Sequence, residues 1–128
     1  MKRQTLRRLW FAGGLVLCIV FLLGALMPHP PSIKSINHFD KYEHAFAFVV
    51  ISLWFAALFP RRFMRILVLL SSYGALVEIL QWASGYRSGD VWDWVADTIG
   101  ILIGLALARL FVGHKLCCLE EHVAPNRN

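Results

Sequence analysis

Residues 9–27 read LWFAGGLVLCIVFLLGALM, nineteen residues without one charged side chain. At about 1.5 Å per residue a helix of this length spans about 28 Å, close to the thickness of a bilayer's hydrocarbon core. In lipid every backbone N–H and C=O has to find its partner inside the protein, which a helix achieves within a single segment. Arg3, Arg7 and Arg8 precede the run like the basic leader of a signal peptide. The apolar stretch is longer than such a peptide's core, however, and Gly24-Ala25-Leu26-Met27 is not a small-x-small cleavage site. The reading is an uncleaved transmembrane helix, stopped by Pro28, Pro30 and Pro31.

Working outward, three further segments follow. The apolar run 45–59 is short for a span, but extending it back to Asp40 gives twenty residues, with Asp40 as a candidate N-cap and Pro60 as the stop. Residues 63–83 contain Glu78 and Gln81 and end at Ser84-Gly85; residues 91–112 contain Asp93 and Asp97. The sequence therefore predicts one all-α domain, an integral membrane bundle of four antiparallel transmembrane helices at about 9–27, 40–59, 63–83 and 91–112, with short loops. The polar stretch 113–128 reads as a cytoplasmic tail that frays.

Composition agrees. Hydrophobic residues make up 58% and charged residues 16%, where a soluble domain carries about 25% charge. The mean hydropathy is +0.58. A net charge of +5 raises nucleic acid as a partner. The basic residues instead sit in short clusters between apolar segments, with no stripe along a helix, so anionic lipid is the expected partner and nucleic acid is not. Cys18, Cys117 and Cys118 form no C-x₂-C pair and read as structural or incidental.

Basic residues also set the orientation. With the N-terminus inside, Lys2, Arg3, Arg7, Arg8, Arg61, Arg62, Arg65, Arg109, Lys115 and Arg127 are cytoplasmic, and only Lys34, Lys41 and Arg87 are outside. Both termini are thus expected in the cytoplasm. The acids fall the other way: Asp40, Glu43, Glu78, Asp90, Asp93 and Asp97 are in the outer half, Glu120 and Glu121 inside. Acids contribute little to topology, so the asymmetry needs another cause.

Helical rise places His44 about 6 Å, Glu78 about 8 Å, Asp93 about 3 Å and Asp97 about 9 Å below the outer end of their helices. Polar side chains at one depth on three helices are expected to face inward and satisfy one another, since exposing a carboxylate to lipid is costly. Spacing supports shared faces: Asp40 and His44 at i, i+4, Lys41 and His44 at i, i+3, Glu78 and Gln81 at i, i+3 with Ser71 and Gly74 below, and Asp93 and Asp97 at i, i+4. Gly100, Gly104 and Ala108 continue the aspartate face as a small-residue stripe suited to close helix packing. Each residue also has a plainer reading: Asp40 and Asp90 as caps, Lys41 and Glu43 as solvated interfacial groups, His44 as an interhelical hydrogen-bonding residue, Glu78 with Gln81 as a structural clasp. Arg87 reads as a snorkelling loop cation, an acid's partner or an anion ligand. Trp54, Trp82, Trp92 and Trp94 read as interface anchors. No G-x-S-x-G elbow, H-E-x-x-H or phosphate loop is present. His44, Glu78, Asp93 and Asp97 are of types that bind divalent metals, but no pattern specifies one, so no metal and no cofactor is assigned.

Asp40-Lys41 with His44, Glu78-x-x-Gln81, Arg87, and Asp93-x-x-x-Asp97-x-x-Gly100 with Gly104 together resemble the pattern of the VanZ-like family of small bacterial membrane proteins. The resemblance covers about half the chain. The family usually has asparagine where this chain has Asp97. The family's namesake is linked with low-level resistance to the glycopeptide teicoplanin, so the resemblance implies a cell-envelope membrane protein. The expected function is binding of an anionic lipid headgroup, cell-wall precursor or glycopeptide-related ligand in an outward-facing polar pocket. Asp40, Lys41, His44, Glu78, Gln81, Arg87, Asp93 and Asp97 are the candidate ligand-binding residues; Arg87 and Lys41 would meet phosphate. The alternatives are a metal-assisted hydrolase or transferase acting on a lipid-linked substrate, and a structural partner of an envelope complex.

Overall fold

A computed structural model describes residues 3–28, 39–85 and 90–123, with side chains over 3–28, 41–85 and 90–111. The described chain is four helices: α1 (Arg3–Leu26), α2 (Phe39–Leu58), α3 (Phe63–Ser84) and α4 (Val91–Val123). Each carries a stretch long and apolar enough to cross a membrane.

The stops act where the residues say they should. Past α2, Phe59 N–H still reaches the Phe55 carbonyl at 2.9 Å, and Pro60 then turns the chain, with Arg62 N–H donating to Phe59 O at 3.0 Å. Gly85 closes α3 in the left-handed conformation, φ 76°, which a side chain would strain. Asp90 caps α4: its Oδ1 accepts from Trp92 N–H at 3.0 Å. Two ends differ from the apolar runs. α1 begins at Arg3, ahead of Leu9, and α4 continues past Val112 to Val123. Loss of hydropathy marks where lipid ends; it does not by itself stop a helix, and α4 continues through Gly113. Asp40 lies inside the first turn of α2, one residue past Phe39, and its side chain is outside the described residues.

The packing is built on small residues. α4 packs most extensively against α2. Gly100 sits directly on the Ala45 carbonyl, and Gly104 on Ser52 Oγ and Val49 O, so a side chain at either position would collide. Gly74 likewise brings α3 against the Asp97 side chain. Phe48, Ile51, Ala56, Ile66, Leu70, Ile101, Leu105 and Ala108 form the apolar core between α2, α3 and α4. α1 leans on α2 through Gly13 and Gly14, which face the Trp54 and Phe55 rings. Trp10 stacks on Trp54, with ring centroids 4.3 Å apart, and Tyr73 of α3 donates its hydroxyl to the Cys18 carbonyl of α1.

Polarity runs inside out relative to a soluble protein. Leu23, Leu69 and Leu110 are 59%, 69% and 71% exposed, while His44, Gln81 and Asp97 are at most 1% exposed. An apolar exterior around a buried polar cluster is stable only where the surrounding medium is itself apolar. The chain is a multi-pass membrane protein.

Candidate functional site

The end of α1, the start of α2, the end of α3 and the start of α4 meet at one end of the bundle, and the buried polar groups gather there. Glycine governs how closely. Gly100 and Gly104 let α4 approach α2, and Gly74 lets Asp97 stand against α3, where an added Cβ would come within 2.8 Å of Asp97 Oδ2.

At the centre, His44 Nδ1 lies 3.0 Å from Asp97 Oδ1 and 3.6 Å from Glu78 Oε1. An ionised carboxylate can only accept, so with Asp97 ionised it is the tautomer with the proton on Nδ1 that makes this contact. The imidazole is walled by the edge-on ring of Phe21 from α1, 5.2 Å between centroids, and Phe21 in turn packs on Phe48. Glu78 is shared: its Oε2 accepts from the Asp90 backbone N–H at 3.0 Å, while its buried Oε1 has no hydrogen-bond donor among the described residues.

A second layer lies nearer the helix ends. Lys41 Nζ sits 3.0 Å from Asp90 Oδ2 and 3.1 Å from Asp93 Oδ1. The Trp92 N–H, and after it the Lys41 ammonium, hold the Asp90 carboxyl below the usual carboxylate range. Lys41 thus neutralises two acids, and its ammonium is committed to them. Gln81 turns toward α1, donating from Nε2 to the Ala25 carbonyl at 2.9 Å. That carbonyl lies in the last turn of α1, where no helical N–H follows to satisfy it. Further along α3 and α4, Ser71 and Thr98 hydroxyls are 3.2 Å apart.

Beside this cluster a cleft of about 280 Å³ opens between α3 and α4, lined by Ala75, Glu78, Ile79, Trp82, Asp90, Val91 and Trp94. Its walls are mostly apolar, and Glu78 and Asp90 are its two acids. Trp94 is held by a 3.1 Å bond from Nε1 to Ser71 O.

Of the residues expected from sequence, His44, Glu78, Gln81, Asp93 and Asp97 are all buried inside the bundle, and Lys41 joins them through Asp93. The Asp40 side chain and Arg87 lie outside the described residues. Asp90, read as a cap, is also the bridge between Lys41 and Glu78. Phe21 carried no signal, because α1 is apolar on every face from Leu9 onward. The cleft's tryptophans were visible as interface residues; that Trp82 and Trp94 flank one opening required the packing of α3 on α4.

Such an arrangement defines a small multi-pass membrane protein with a carboxylate–imidazole site buried at one end of its bundle. The chain belongs to the VanZ/LLP1 family, whose model matches residues 24–112. The matched stretch includes every candidate site residue from Asp40 to Asp97. No curated protein and no solved structure matches the chain.

Proposed function

We propose that the protein binds a lipid-anchored, anionic envelope molecule at the outward-facing end of its bundle, in the bacterial cytoplasmic membrane with both termini inside. The cleft between α3 and α4 carries this reading. Its apolar wall of Ala75, Ile79, Trp82, Val91 and Trp94 suits a hydrocarbon chain, and Glu78 and Asp90 meet that chain's polar end. Acids select for donors such as hydroxyl or amine groups of a sugar or peptide head. Phosphate would be met by Arg87, whose planar fork matches it in two hydrogen bonds. Lys41 is left out of that role because Asp90 and Asp93 already hold it.

The test is thermal unfolding of the purified full chain in detergent with phosphatidylglycerol, a polyprenyl phosphate or phosphatidylcholine added. The two anionic lipids are expected to raise the Tm and phosphatidylcholine is not. Trp82→Ala should weaken the response to both anionic lipids, and Arg87→Lys should weaken it without lowering the Tm of the lipid-free protein. No stabilisation of the wild type by either anionic lipid overturns the proposal. The proximity of His44, Glu78 and Asp97 favours a second reading, metal-assisted hydrolysis or transfer on the same lipid-linked ligand. Turnover of the polyprenyl phosphate's diphosphate form would support it.

A further inference from the structure

We propose that His44, Glu78 and Asp97 form a binding site for one divalent transition-metal cation, with Zn²⁺ the preferred ion. The claim stands apart from the lipid reading and does not need it. Each of the three residues offers one ligand atom, and these atoms lie within 4.8 Å of one another, with all three residues buried.

Distances come first. Two ligand atoms held about 2.1 Å from one ion, at angles between octahedral and tetrahedral, stand about 3.0–3.4 Å apart. His44 Nδ1 stands 3.0 Å from Asp97 Oδ1 and 3.6 Å from Glu78 Oε1. With all three atoms within 4.8 Å of one another, side-chain rotation that draws the Glu78 and Asp97 oxygens to within about 3.4 Å of each other brings all three onto one ion, at the loss of the Nδ1 proton.

Charge comes second. Two carboxylates and a neutral imidazole carry two negative charges into a bundle that the hydrocarbon surrounds. A divalent cation brings that sum to zero, whereas protonating the imidazole removes only half of it.

An independent observation concerns Glu78. Its residue is 8% exposed, its Oε2 is used by Asp90 N–H, and its Oε1 is buried with no hydrogen-bond donor among the described residues. An acceptor-only oxygen buried without a donor is costly, and this one faces the imidazole. A cation is the acceptor's natural complement there. One nitrogen and two carboxylate oxygens suit Zn²⁺ ahead of Mn²⁺, while Ca²⁺ wants six to eight oxygens, which these three residues do not supply. Glu78 also lines the cleft, so an ion here would lie one carboxylate away from whatever occupies it.

The experiment uses the full chain purified without a polyhistidine tag, stripped with chelator and dialysed against Zn²⁺, Mn²⁺ or Ca²⁺. Metal per chain is measured by mass spectrometry, and Zn²⁺ affinity by competition with a chromogenic chelator. The expected result is one Zn²⁺ per chain, weaker Mn²⁺ uptake and no Ca²⁺. Glu78→Gln and Asp97→Asn should each weaken Zn²⁺ binding by more than about tenfold, while exposed Glu43→Gln and the double change Cys117→Ser, Cys118→Ser leave it unchanged. Co²⁺ bound to the wild type should give visible d–d bands without a thiolate charge-transfer band, a readout that does not depend on any variant folding. Absence of stoichiometric Zn²⁺ in the wild type overturns the site, as does a thiolate band or a Zn²⁺ affinity that Glu78→Gln and Asp97→Asn leave intact.

Discussion

Replacing Gly100 by alanine adds a single methyl group, and the structure gives it nowhere to go. That methyl would overlap the Ala45 carbonyl oxygen and stand 3.0 Å from Ala45 C and 3.1 Å from Ala45 Cα. All three atoms are backbone of α2, so no rotamer change relieves the clash and α4 has to move away. Overpacking of this kind costs about 1–3 kcal/mol, and a backbone obstacle argues for the upper part of that range. Alanine gains about 1 kcal/mol over glycine in helix propensity, which leaves a net loss of about 2 kcal/mol for Gly100→Ala. Gly24 is the control. It too is helical, but nothing lies within 4 Å of an added Cβ, so Gly24→Ala should be neutral or stabilising by up to about 1 kcal/mol. The same chemical change at two glycines should therefore differ by about 2–3 kcal/mol. Reversible unfolding in a graded series of detergent mixtures, followed by far-ultraviolet circular dichroism, measures both. The consequence reaches the site, because Asp97 lies one turn before Gly100 and contacts His44 at 3.0 Å; the Gly100→Ala protein should also bind Zn²⁺ less tightly. If the two variants unfold within about 0.5 kcal/mol of each other, close α2–α4 contact is not what positions the site.

Gln81→Leu removes the hydrogen bond to the Ala25 carbonyl and should cost about 1 kcal/mol. Hydrogen exchange should rise in the last turn of α1, and unchanged exchange there would refute the tie between α1 and α3. Asp90→Asn removes the ion pair with Lys41 but keeps an oxygen for the Trp92 N–H, so it should cost less than about 1 kcal/mol; Asp90→Ala loses the cap as well and should cost about 1 kcal/mol more. Because the Asp90 carboxyl is held below its ordinary range in the folded protein, its contribution is complete above the ordinary carboxylate pKa of about 4 and is lost as pH falls through the lowered value. The Tm gap between wild type and Asp90→Asn should accordingly close on acidification below pH about 4, and a gap that widens there contradicts the assignment. Finally, cysteines placed at Ser32 or Ser88 should react with a membrane-impermeant thiol reagent in intact cells, and cysteines at Arg61 or Arg62 should not; the reverse pattern would move the site to the cytoplasmic face.

The polar half of the site was legible in the sequence for an energetic reason. A carboxylate in a membrane-spanning helix is expensive, so Glu78, Asp93 and Asp97 each announce a partner, and helical rise alone puts them within about 3 Å of the depth of His44. The structure joins these residues with His44 and Lys41 by contacts of 3.0–3.6 Å. The small-residue stripe was legible on the same terms, since Gly100 and Gly104 follow the aspartates on one face and their contact with α2 is what brings Asp97 to His44. Helix ends were legible at Pro60 and Gly85, which break the backbone, and not at Leu9 and Val112, where the apolar run ends but the helix continues, at the second through Gly113. What stayed hidden is the role of α1. Gly14, Cys18, Phe21 and Ala25 form its inward face, meeting Phe55, Tyr73, His44 and Gln81 in turn. A helix that is apolar all round has no periodicity to reveal which face turns inward. The family model starts at Gly24, so three of those four residues lie ahead of the matched stretch. The polar groups define the chemistry that the family pattern covers, and α1 supplies the Phe21 ring and the Ala25 carbonyl against which two of them, His44 and Gln81, are set. Changes at Phe21 should therefore alter the surroundings of His44 without touching any residue of the polar pattern.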